Sequence, residues 1–449
     1  MNRHLILGRF GDDDRQRVPK AKDEVATTLQ LASGKTLRYG IGHALDDLRA
    51  LGLVPSELGV DFMVLAAHVH AADTRLARAS ESQDGWTREI RLVVPVSDPA
   101  RWTAAAEIVR RALDFLTGDR WSIGFRARPK AFQTTALPLP PNLLGSPYDG
   151  ISLFSGGLDS LIGAIDRLEA GKSPLLVSHA AEGAVSKSQD DCYKALKQAY
   201  KANAFERLRV WMSFEGNLVD GVAGEHTTRG RSFLFFALGV CAGTALGKEF
   251  VVQVPENGLI ALNVPLDPLR LGALSTRTTH PFHIARWNEL LAALGVPGSL
   301  FNPYWDKTKG EMVADCANQA LLDSISAASL SCSSPAKARW QGLPQGHCGY
   351  CLPCLIRRAS LLGRDGTTYS LPDLTARKLD TGQAEGQQVR SFQIAIARLA
   401  NRPELAPLLI HKPGSLRDVA NDVDALAGVY SRGIAEVGRL LAGVRAGPS

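Results

Sequence analysis

Residues 148–171 read YDGISLFSGGLDSLIGAIDRLEAG, and this stretch decides the fold of the chain around it. Residues 151–154 form a short apolar run typical of a buried strand, and residues 161–168 carry apolar side chains at helical spacing. Glycine and short polar residues make up most of the segment between them. Glycines let the backbone approach a ligand closely, and the N–H groups at a helix start attract anions. The pattern therefore predicts a phosphate-binding loop at residues 155–160.

The same segment has a plainer alternative, a strand–turn–helix junction in which Ser and Asp act only as helix caps. A Walker loop is excluded, because that loop requires the pattern Gly-x-x-x-x-Gly-Lys-Ser/Thr. Two Gly-Lys pairs elsewhere, at residues 34–35 and 247–248, lack the first glycine, and Leu29 and Ala242 stand in its place. The predicted loop therefore binds phosphate without a Walker lysine.

The composition indicates a protein of two or three domains. The chain has 449 residues, of which 45% are hydrophobic, enough to form buried cores. It carries 51 basic and 45 acidic residues, and the resulting net charge of +6 is no strong signal for nucleic-acid binding. No apolar run reaches membrane length, and the charged start MNRHLILGRFGDDDRQR does not fit a secretory signal. We therefore expect a cytoplasmic protein with no membrane partner.

The seven cysteines are unevenly spread along the chain. Four of them form one group: Cys332, Cys348, Cys351 and Cys354. Thiolates with this C-x-x-C-x-x-C spacing suit a tetrahedral Zn2+ ion, with an iron–sulfur cluster as the main alternative. A shell of four cysteines leaves no open coordination position, so the predicted site is structural. The other three are isolated and are expected to pack in the core: Cys192, Cys241 and Cys316.

The chain divides into four predicted segments: an N-terminal α+β accessory domain (1–128), a Pro-rich linker (129–149), an α/β domain (150–365) and a C-terminal helical region (366–449). In the first segment, the patterns predict a helix at 61–79 and strands at 88–96 and 121–127. A further helix is expected to start at Asp98-Pro99. This segment carries no catalytic constellation, which favours a role in docking or substrate enclosure.

The third segment alternates strands and helices. Its apolar runs at residues 175–179, 208–212 and 250–254 are typical of buried parallel strands. We therefore expect a doubly wound α/β domain whose ligand lies at the carboxyl ends of the strands. The last segment has apolar stripes at 387–399 and 416–444, which predict helices.

The Ser-Gly-Gly-Leu-Asp-Ser loop resembles the signature of the PP-loop ATP pyrophosphatases. Together with the four-cysteine group, it resembles the QueC-like branch of that family, the 7-cyano-7-deazaguanine synthases. Arg231-Ser232, the stretch TKGE at residues 308–311, and Arg357, three residues after Cys354, fit the same family. The resemblance covers about residues 150–362. It implies a PP-loop fold of the adenine nucleotide alpha hydrolase type, with ATP, Mg2+ and Zn2+ as cofactors.

The chain departs from that family in its extra segments and in residues 255–281, PENGLIALNVPLDPLRLGALSTRTTHP. This pattern is similar to the QueC-like proteins of bacterial anti-phage systems, first the QatC proteins of the Qat system and second those of type IV CBASS. The resemblance implies an adenylate-forming ligase that activates a 7-deazaguanine carboxylate. It further implies conjugation of that acid through an amide to a partner protein from the same defence operon.

The resemblance assigns roles to particular residues of this chain. Those expected to bind ATP are Ser155, Gly156, Gly157, Leu158, Asp159, Ser160 and His179. Those expected to be catalytic are Asp159, which would bind Mg2+ through water, and the cations Lys309, Arg231 and Arg357. Those expected to bind the deazaguanine are Glu256, Asn257, Asn263, Arg277 and His280.

Several of these assignments have structural alternatives. A carboxylate at Glu256 suits the N1–H and exocyclic amine of a guanine-type base, but residues 256–258 also fit an exposed polar turn. Arg277 is expected to hold the substrate carboxylate and His280 to move a proton, and loop anchoring is the alternative for both. Lys309 has the alternative of a solvated helix residue.

Other functions remain open at the level of sequence. One is 7-cyano-7-deazaguanine synthesis with ammonia as the acceptor. Another is a different PP-loop activity on nucleotides or tRNA, although the isolated cysteines do not pair as a thiolation site requires. A third is a non-enzymatic scaffold that binds nucleotide, against which the intact loop and Lys309 argue.

Overall fold

The structure is a computed structural model, and it describes residues 3–82, 84–138, 145–180, 183–225, 227, 229–267, 277–336, 342 and 345–448. Two five-stranded sheets each carry helices, and the helices of the two sheets pack against one another between them. A C-terminal group of helices packs against other helices of the second unit. None of the helices in these ranges is long and apolar enough to cross a membrane.

The N-terminal sheet consists of β1 (Arg3–Phe10), β2 (Glu24–Ser33), β3 (Thr36–Leu37), β4 (Glu89–Val96) and β5 (Arg120–Ala127). Its order is β3-β2-β1-β4-β5, and every neighbouring pair is parallel except β2 and β3. This corrects the expected α+β class, because the sheet is mainly parallel. Local patterns predicted β4 and β5 well, but the direction of pairing depends on how the helices cross over the sheet.

The helices of this unit are α1 (Ile41–Ala50), α2 (Glu57–Arg75), α3 (Arg78–Glu81), α4 (Pro99–Ala104) and α5 (Ala106–Thr117). The predicted helix at 61–79 is α2, which begins four residues earlier because the Ser56 side chain accepts a hydrogen bond from Gly59 N at 3.1 Å. The Asp98 side chain caps α4 as expected, accepting from Arg101 N at 3.1 Å.

The second sheet consists of β6 (Gly150–Leu153), β7 (Pro174–His179), β8 (Glu206–Val210), β9 (Phe250–Gln253) and β10 (Gly298–Phe301). Its order is β10-β9-β6-β7-β8, and all the pairs are parallel. The predicted parallel α/β architecture is therefore confirmed. The order reverses between β6 and β9, so the segments that follow these two strands meet at a topological switch point, where ligands of such sheets bind.

The helices around this sheet are α6 (Leu158–Glu169), α7 (Gly183–Ala199), α8 (Arg231–Thr244), α9 (Gly258–Leu262), α10 (Pro281–Ala293), α11 (Lys309–Ala314), α12 (Gln319–Ile325) and α13 (Leu352–Ser360). The C-terminal region adds β11 (Leu379–Asp380), α14 (Ala384–Asn401), α15 (Ala406–Leu409), α16 (Val423–Leu440) and β12 (Ala446–Gly447). The helical character expected of residues 366–449 is confirmed. The stripe at 416–444 is divided, because a 3-10 turn (Arg417–Asp422) precedes α16.

The N-terminal unit and the second sheet share one apolar core. Helix α2 is buried along almost its whole length, packing on β4 with one side and on α8 with the other. Phe62 of α2 contacts Trp102 in α4 and Trp287 in α10, with ring centroids 5.0 and 5.7 Å apart. The domain boundary at 128 stays a prediction, but the two units pack against each other through this shared core.

Part of the predicted Pro-rich linker lies against α2. The backbone N–H groups of Thr135 and Ala136 donate to Glu57 at 2.7 and 3.1 Å, and the Arg128 guanidinium contacts Glu57 and Asp61. Residues 139–144 of that linker lie outside the described residues.

Candidate functional site

The glycine-rich loop lies at the carboxyl end of β6, where the switch point was expected to place it. Gly156 has φ +80°, and a Cβ there would lie 2.9 Å from the backbone nitrogen of Gln189. Both facts require glycine at this position. The loop is held by short polar contacts: Ser155 Oγ lies 3.2 Å from Ser160 Oγ, and Ser160 Oγ donates to the Gly157 carbonyl at 2.9 Å.

Helix α6 starts without a side-chain cap. Its N-cap residue is Gly157, which has no side chain to cap the helix, and the only side-chain acceptors near its start are Ser155 Oγ, 3.3 Å from Gly157 N, and Ser331 Oγ, 3.4 Å from Leu158 N, among the described residues. The plainer alternative, in which Ser and Asp are merely caps, is therefore not what the geometry shows. These two hydrogen bonds are long, and the remaining N–H groups of the first turn and the helix dipole favour an anion.

Asp159 joins three segments of the chain. Its Oδ1 forms an ion pair with Lys309 Nζ at the start of α11, and its Oδ2 accepts from Asn257 N at 3.1 Å and from Asn257 Nδ2 at 2.7 Å. Asp159 is 8% exposed and Lys309 is 3% exposed. The structure thus brings together three of the predicted site residues. It also removes the alternative that Lys309 is a solvated helix residue.

Lys309 is positioned through Glu436 in α16, a residue that the sequence analysis did not single out. Thr308 caps α11 in a capping box with Glu311, and its hydroxyl donates to the carboxylate of Glu436 in α16. Gly310 N donates to the same carboxylate at 3.2 Å. Burial raises the pKa of Glu436 above its usual value. One signal was present in the sequence: Glu436 interrupts an otherwise apolar stripe of α16.

Glu256 follows β9 and lies close enough to the Asp159–Lys309 pair for both charges to affect its pKa. Its backbone pairs with the Asn302 side chain, at 3.3 Å for Glu256 N and 2.7 Å for Glu256 O, and its carboxylate accepts from the Thr279 hydroxyl. Desolvation raises the pKa of Glu256 to about 7, opposed by the Thr279 hydrogen bond, while the charge of Asp159 adds to the rise. This carboxyl is therefore poised to change protonation near neutral pH when a ligand donates hydrogen bonds to it.

The two asparagines of this segment shape helix α9. The Asn257 side chain accepts from Ile260 N at 3.1 Å as the N-cap, while its Nδ2 donates to Asp159. Asn263 is the C-cap residue and adopts a left-handed conformation with φ +51°. Both residues have structural roles here, and their predicted substrate contacts stay predictions.

Arg277 and His280 both make anchoring contacts in the structure, and their predicted roles in substrate binding and proton transfer stay predictions. Arg277 donates to the Phe115 carbonyl at 2.8 Å, and its guanidinium lies 4.9 Å from the centre of the Phe115 ring. His280 caps α10 by accepting from Phe282 N at 3.2 Å. Burial, with the nearby Arg277 charge, lowers the pKa of His280 to about 3, so the imidazole stays neutral. Sequence analysis could not foresee that the N-terminal unit packs against this loop.

Arg357 also has a different position from the one expected of a phosphate-binding cation. It is fully buried, and it donates to Ser329 Oγ at 2.8 Å, to the Ser326 carbonyl at 2.7 Å and to Thr367 Oγ1 at 2.9 Å. These bonds hold the segment whose Leu330 N donates to the Gly156 carbonyl at 2.8 Å. Arg357 therefore supports the loop from behind and is a positioning residue.

Arg231 and His179 lie on the other side of the loop. Arg231 begins α8, with its guanidinium 5.4 Å from the centre of the Phe235 ring. The preceding residue, Gly230, donates its N–H to Asp73 in α2 at 2.7 Å, so the N-terminal unit fixes the start of α8. His179 ends β7 beside the loop, and its ring lies 5.7 Å from Phe235.

The four grouped cysteines converge as predicted and could hold a metal ion. Their sulfur atoms all lie within 4.8 Å of one another, and the pairs Cys332–Cys351 and Cys348–Cys354 are each 3.9 Å apart. Four thiolates around one tetrahedral Zn2+ would be about 3.8 Å apart, from a metal–sulfur distance of about 2.3 Å. The Cys351 N–H donates to Cys348 Sγ at 3.3 Å, which orients that sulfur inward. The residues therefore fit a closed metal centre.

The metal centre is connected to the phosphate loop. Ser331, next to Cys332, accepts from Leu158 N at 3.4 Å, and its own N–H donates to His347 Nε2 at 3.0 Å. His347 is thus occupied as an acceptor and stands outside the sulfur group. A metal ion that fixes Cys332 therefore also fixes one wall of the loop.

The isolated cysteines have the environment of packing residues. Cys192, Cys241 and Cys316 are all buried in apolar clusters. Burial raises the pKa of Cys192 and of Cys316 to about 12, so neither is a ready thiolate.

Fold and site together define a class: a parallel α/β protein with a glycine-rich strand-to-helix loop at the switch point and a four-cysteine centre behind it. No protein-family model matches the chain, and no curated protein matches its sequence. The assignment to a family is therefore a proposal, and it depends on the geometry of these residues.

The buried ion pair generates a stability prediction. Replacing Asp159→Asn leaves the Lys309 ammonium buried without its carboxylate, which should lower the free energy of unfolding by about 3 kcal/mol in urea denaturation. The double variant Asp159→Asn/Lys309→Met removes both charges and should recover most of that loss.

The matched control is the exposed pair Lys307–Asp315, at 2.9 Å. Asp315→Asn should change the free energy of unfolding by less than about 1 kcal/mol, because solvent screens exposed pairs. Equal stabilities for Asp159→Asn and Asp315→Asn would show that the buried pair is not a structural hub.

Proposed function

We propose that this chain is an ATP-dependent ligase of the PP-loop type that releases AMP and pyrophosphate. The observation that carries the proposal is the glycine-rich loop at the switch point, with the buried Asp159–Lys309 pair built onto it. The hydroxyls of Ser155 and Ser160 and the N–H groups in the first turn of α6 supply donors for pyrophosphate. Lys309 supplies the cation for the charge that develops at the α-phosphorus.

Mg2+ would accompany the ATP polyphosphate and neutralise part of its charge. Asp159 is the carboxylate that the loop itself carries, and its remaining lone pairs suit a contact through water. Arg231 remains the second candidate cation. Arg357 acts through the segment behind the loop.

The proposed substrate is the carboxylate of a 7-deazaguanine. Glu256 supports this assignment, because a partly desolvated carboxyl pairs well with the N1–H and exocyclic amine of a guanine-type base. A carboxylate oxygen of the substrate attacks the α-phosphorus of ATP, which forms an acyl adenylate and expels pyrophosphate. An amine then attacks the acyl carbon, AMP leaves with the bonding electrons, and the amine loses a proton as the amide forms.

We further propose that the amine belongs to a partner protein and that the reaction serves bacterial anti-phage defence, as in the QatC-like proteins the sequence resembles. Extra segments around the catalytic sheet support this, since a macromolecular acceptor needs more contact surface than ammonia does. The alternative function is synthesis of free 7-cyano-7-deazaguanine, with ammonia as the acceptor in place of a protein amine.

The first test concerns the products of ATP. Purified protein incubated with ATP, Mg2+ and 7-carboxy-7-deazaguanine should give AMP and pyrophosphate, separated by ion-exchange chromatography. Lys309→Met should lower the rate by about a hundredfold, because one cation at the α-phosphate is lost. Lys307→Met, two residues earlier and exposed, is the control and should keep the rate. ADP and phosphate as the main products would refute the proposal.

The second test concerns the metal, which we propose to be zinc. Elemental analysis should find about one zinc ion per chain, and Cys351→Ser should lose it. Because Leu330 and Ser331 connect the centre to the loop, this variant should also bind inorganic tripolyphosphate more weakly. Cys316→Ser, a buried cysteine outside the cluster, should keep both properties. Iron in place of zinc, or soluble protein free of metal, would contradict the assignment.

The third test uses the raised pKa of Glu256. A base that donates two hydrogen bonds requires the ionised carboxylate, so substrate affinity should be highest above pH 7. Affinity should then fall about tenfold for each pH unit below the pKa of about 7. Glu256→Gln should bind weakly at every pH and lose this slope in isothermal titration calorimetry. A wild-type affinity that is constant between pH 5.5 and 8 would exclude Glu256 from the substrate site.

A further inference from the structure

Several buried polar atoms without a hydrogen-bond partner lie together at the carboxyl end of β7. Within the described part of the chain, Nδ1 of His70 and Oε1 of Gln189 have no hydrogen-bond partner, and one of the two His179 ring nitrogens is also unpaired, because the ring makes a single hydrogen bond, to the Met212 backbone. His179 is 4% exposed and Gln189 is fully buried. More than nine in ten buried polar groups in native proteins are paired, so a group of unpaired ones indicates a partner that belongs there.

This cluster lies directly beside the phosphate loop. The Gln189 side-chain amide donates to the carbonyls of Ser155 and His179, at 3.4 and 3.1 Å. Ser178 Oγ in β7 donates to the carbonyl of Phe154, the residue after β6, at 2.6 Å. A ligand whose phosphates contact the loop can therefore reach the cluster with its other end.

His70 reaches the cluster from the N-terminal unit. It lies on α2, and its ring meets that of His179 edge to face, with centroids 5.5 Å apart. Phe214 lies 5.8 Å from His70, and Phe235 lies 5.7 Å from His179. The two imidazoles are thus surrounded by aromatic rings, and such rings contact flat heterocycles well.

Both imidazoles are neutral at physiological pH. Burial lowers the pKa of His70 to about 4, and the charges of Arg231 and Arg75 lower it further. Burial and the charge of Arg231 lower the pKa of His179 to about 3, and a hydrogen bond to the Met212 backbone opposes this shift. A neutral imidazole carries one hydrogen-bond donor and one acceptor, so the two rings can bind a heterocycle that has an acceptor and a donor of its own.

We propose that α2 of the N-terminal unit completes the ligand site, where His70 and His179 recognise the nitrogen heterocycle of the ligand bound at the phosphate loop. The proposal rests on the proposed function and goes beyond it, because it makes the N-terminal unit part of the site rather than only a docking surface. The heterocycle has a ring-nitrogen acceptor and an exocyclic amine donor. Adenine of ATP and the deazaguanine acid both satisfy this chemistry.

The experiment measures binding of three probes by isothermal titration calorimetry: ATP, inorganic tripolyphosphate and 7-carboxy-7-deazaguanine. His70→Phe keeps an aromatic ring and removes the nitrogens. It should weaken binding of one heterocyclic probe about fivefold to tenfold, as the loss of one hydrogen bond predicts. Tripolyphosphate, which has no heterocycle, should bind as to the wild type. A loss confined to ATP identifies adenine as the occupant, and a loss confined to the acid identifies the deazaguanine.

Two further variants separate recognition from folding. His70→Asn places an amide near the former Nδ1 and should recover part of the affinity. His68→Phe lies on the same helix and is equally buried, but its ring faces Gly8 and its Nδ1 already contacts the Val64 carbonyl at 2.7 Å. It should lower the melting temperature without changing the affinity for either heterocycle.

Unchanged affinities for both heterocycles in His70→Phe and His179→Phe, with folded protein, would overturn the inference. That result is distinguishable from failure of the proposed function, because wild-type protein would still convert ATP to AMP and pyrophosphate. Wild-type protein that binds none of the three probes would overturn both.

Discussion

The buried ion pair between Asp159 and Lys309 is the constraint on which the rest of the site depends. An ammonium and a carboxylate with so little exposure are stable only if each satisfies the other and nearby donors complete the set. Asn257 supplies those donors from the segment after β9. The pair therefore fixes the phosphate loop, helix α9 and helix α11 relative to one another. It also places the Lys309 ammonium close to the start of α6, whose dipole favours negative charge.

Parts of the chain far from the loop in sequence hold this arrangement in place. Glu436, near the C-terminus, accepts hydrogen bonds from the two residues that flank Lys309. Asp73, in the N-terminal unit, holds the residue before Arg231. On the third side, Arg357 and the cysteine centre support the segment behind Gly156. The segments outside the α/β sheet thus contribute to the site by positioning its residues.

Local patterns in the sequence were sufficient for several features. The apolar run before the Ser-Gly-Gly-Leu-Asp-Ser stretch predicted β6, because short buried strands are marked by composition. The spacing of Cys348, Cys351 and Cys354 predicted their convergence with Cys332, because a turn and a helix start bring such residues to one side. The expectation for Lys309 came from the family resemblance and not from a local pattern, and the structure pairs this lysine with Asp159 of the loop.

Other features depended on contacts between residues far apart in the chain, which no local pattern contains. The parallel pairing of the N-terminal sheet, the anchoring of Arg277 and His280 on Phe115, and the burial of Arg357 all result from packing between segments. The same holds for the position of His70 in α2 next to His179. The sequence by itself determined the glycine-rich strand-to-helix loop, the cysteine group and the parallel α/β class, because each is encoded within a few neighbouring residues. Only the tertiary structure decided which side chains share a desolvated crevice, because burial and pairing arise when distant segments pack together.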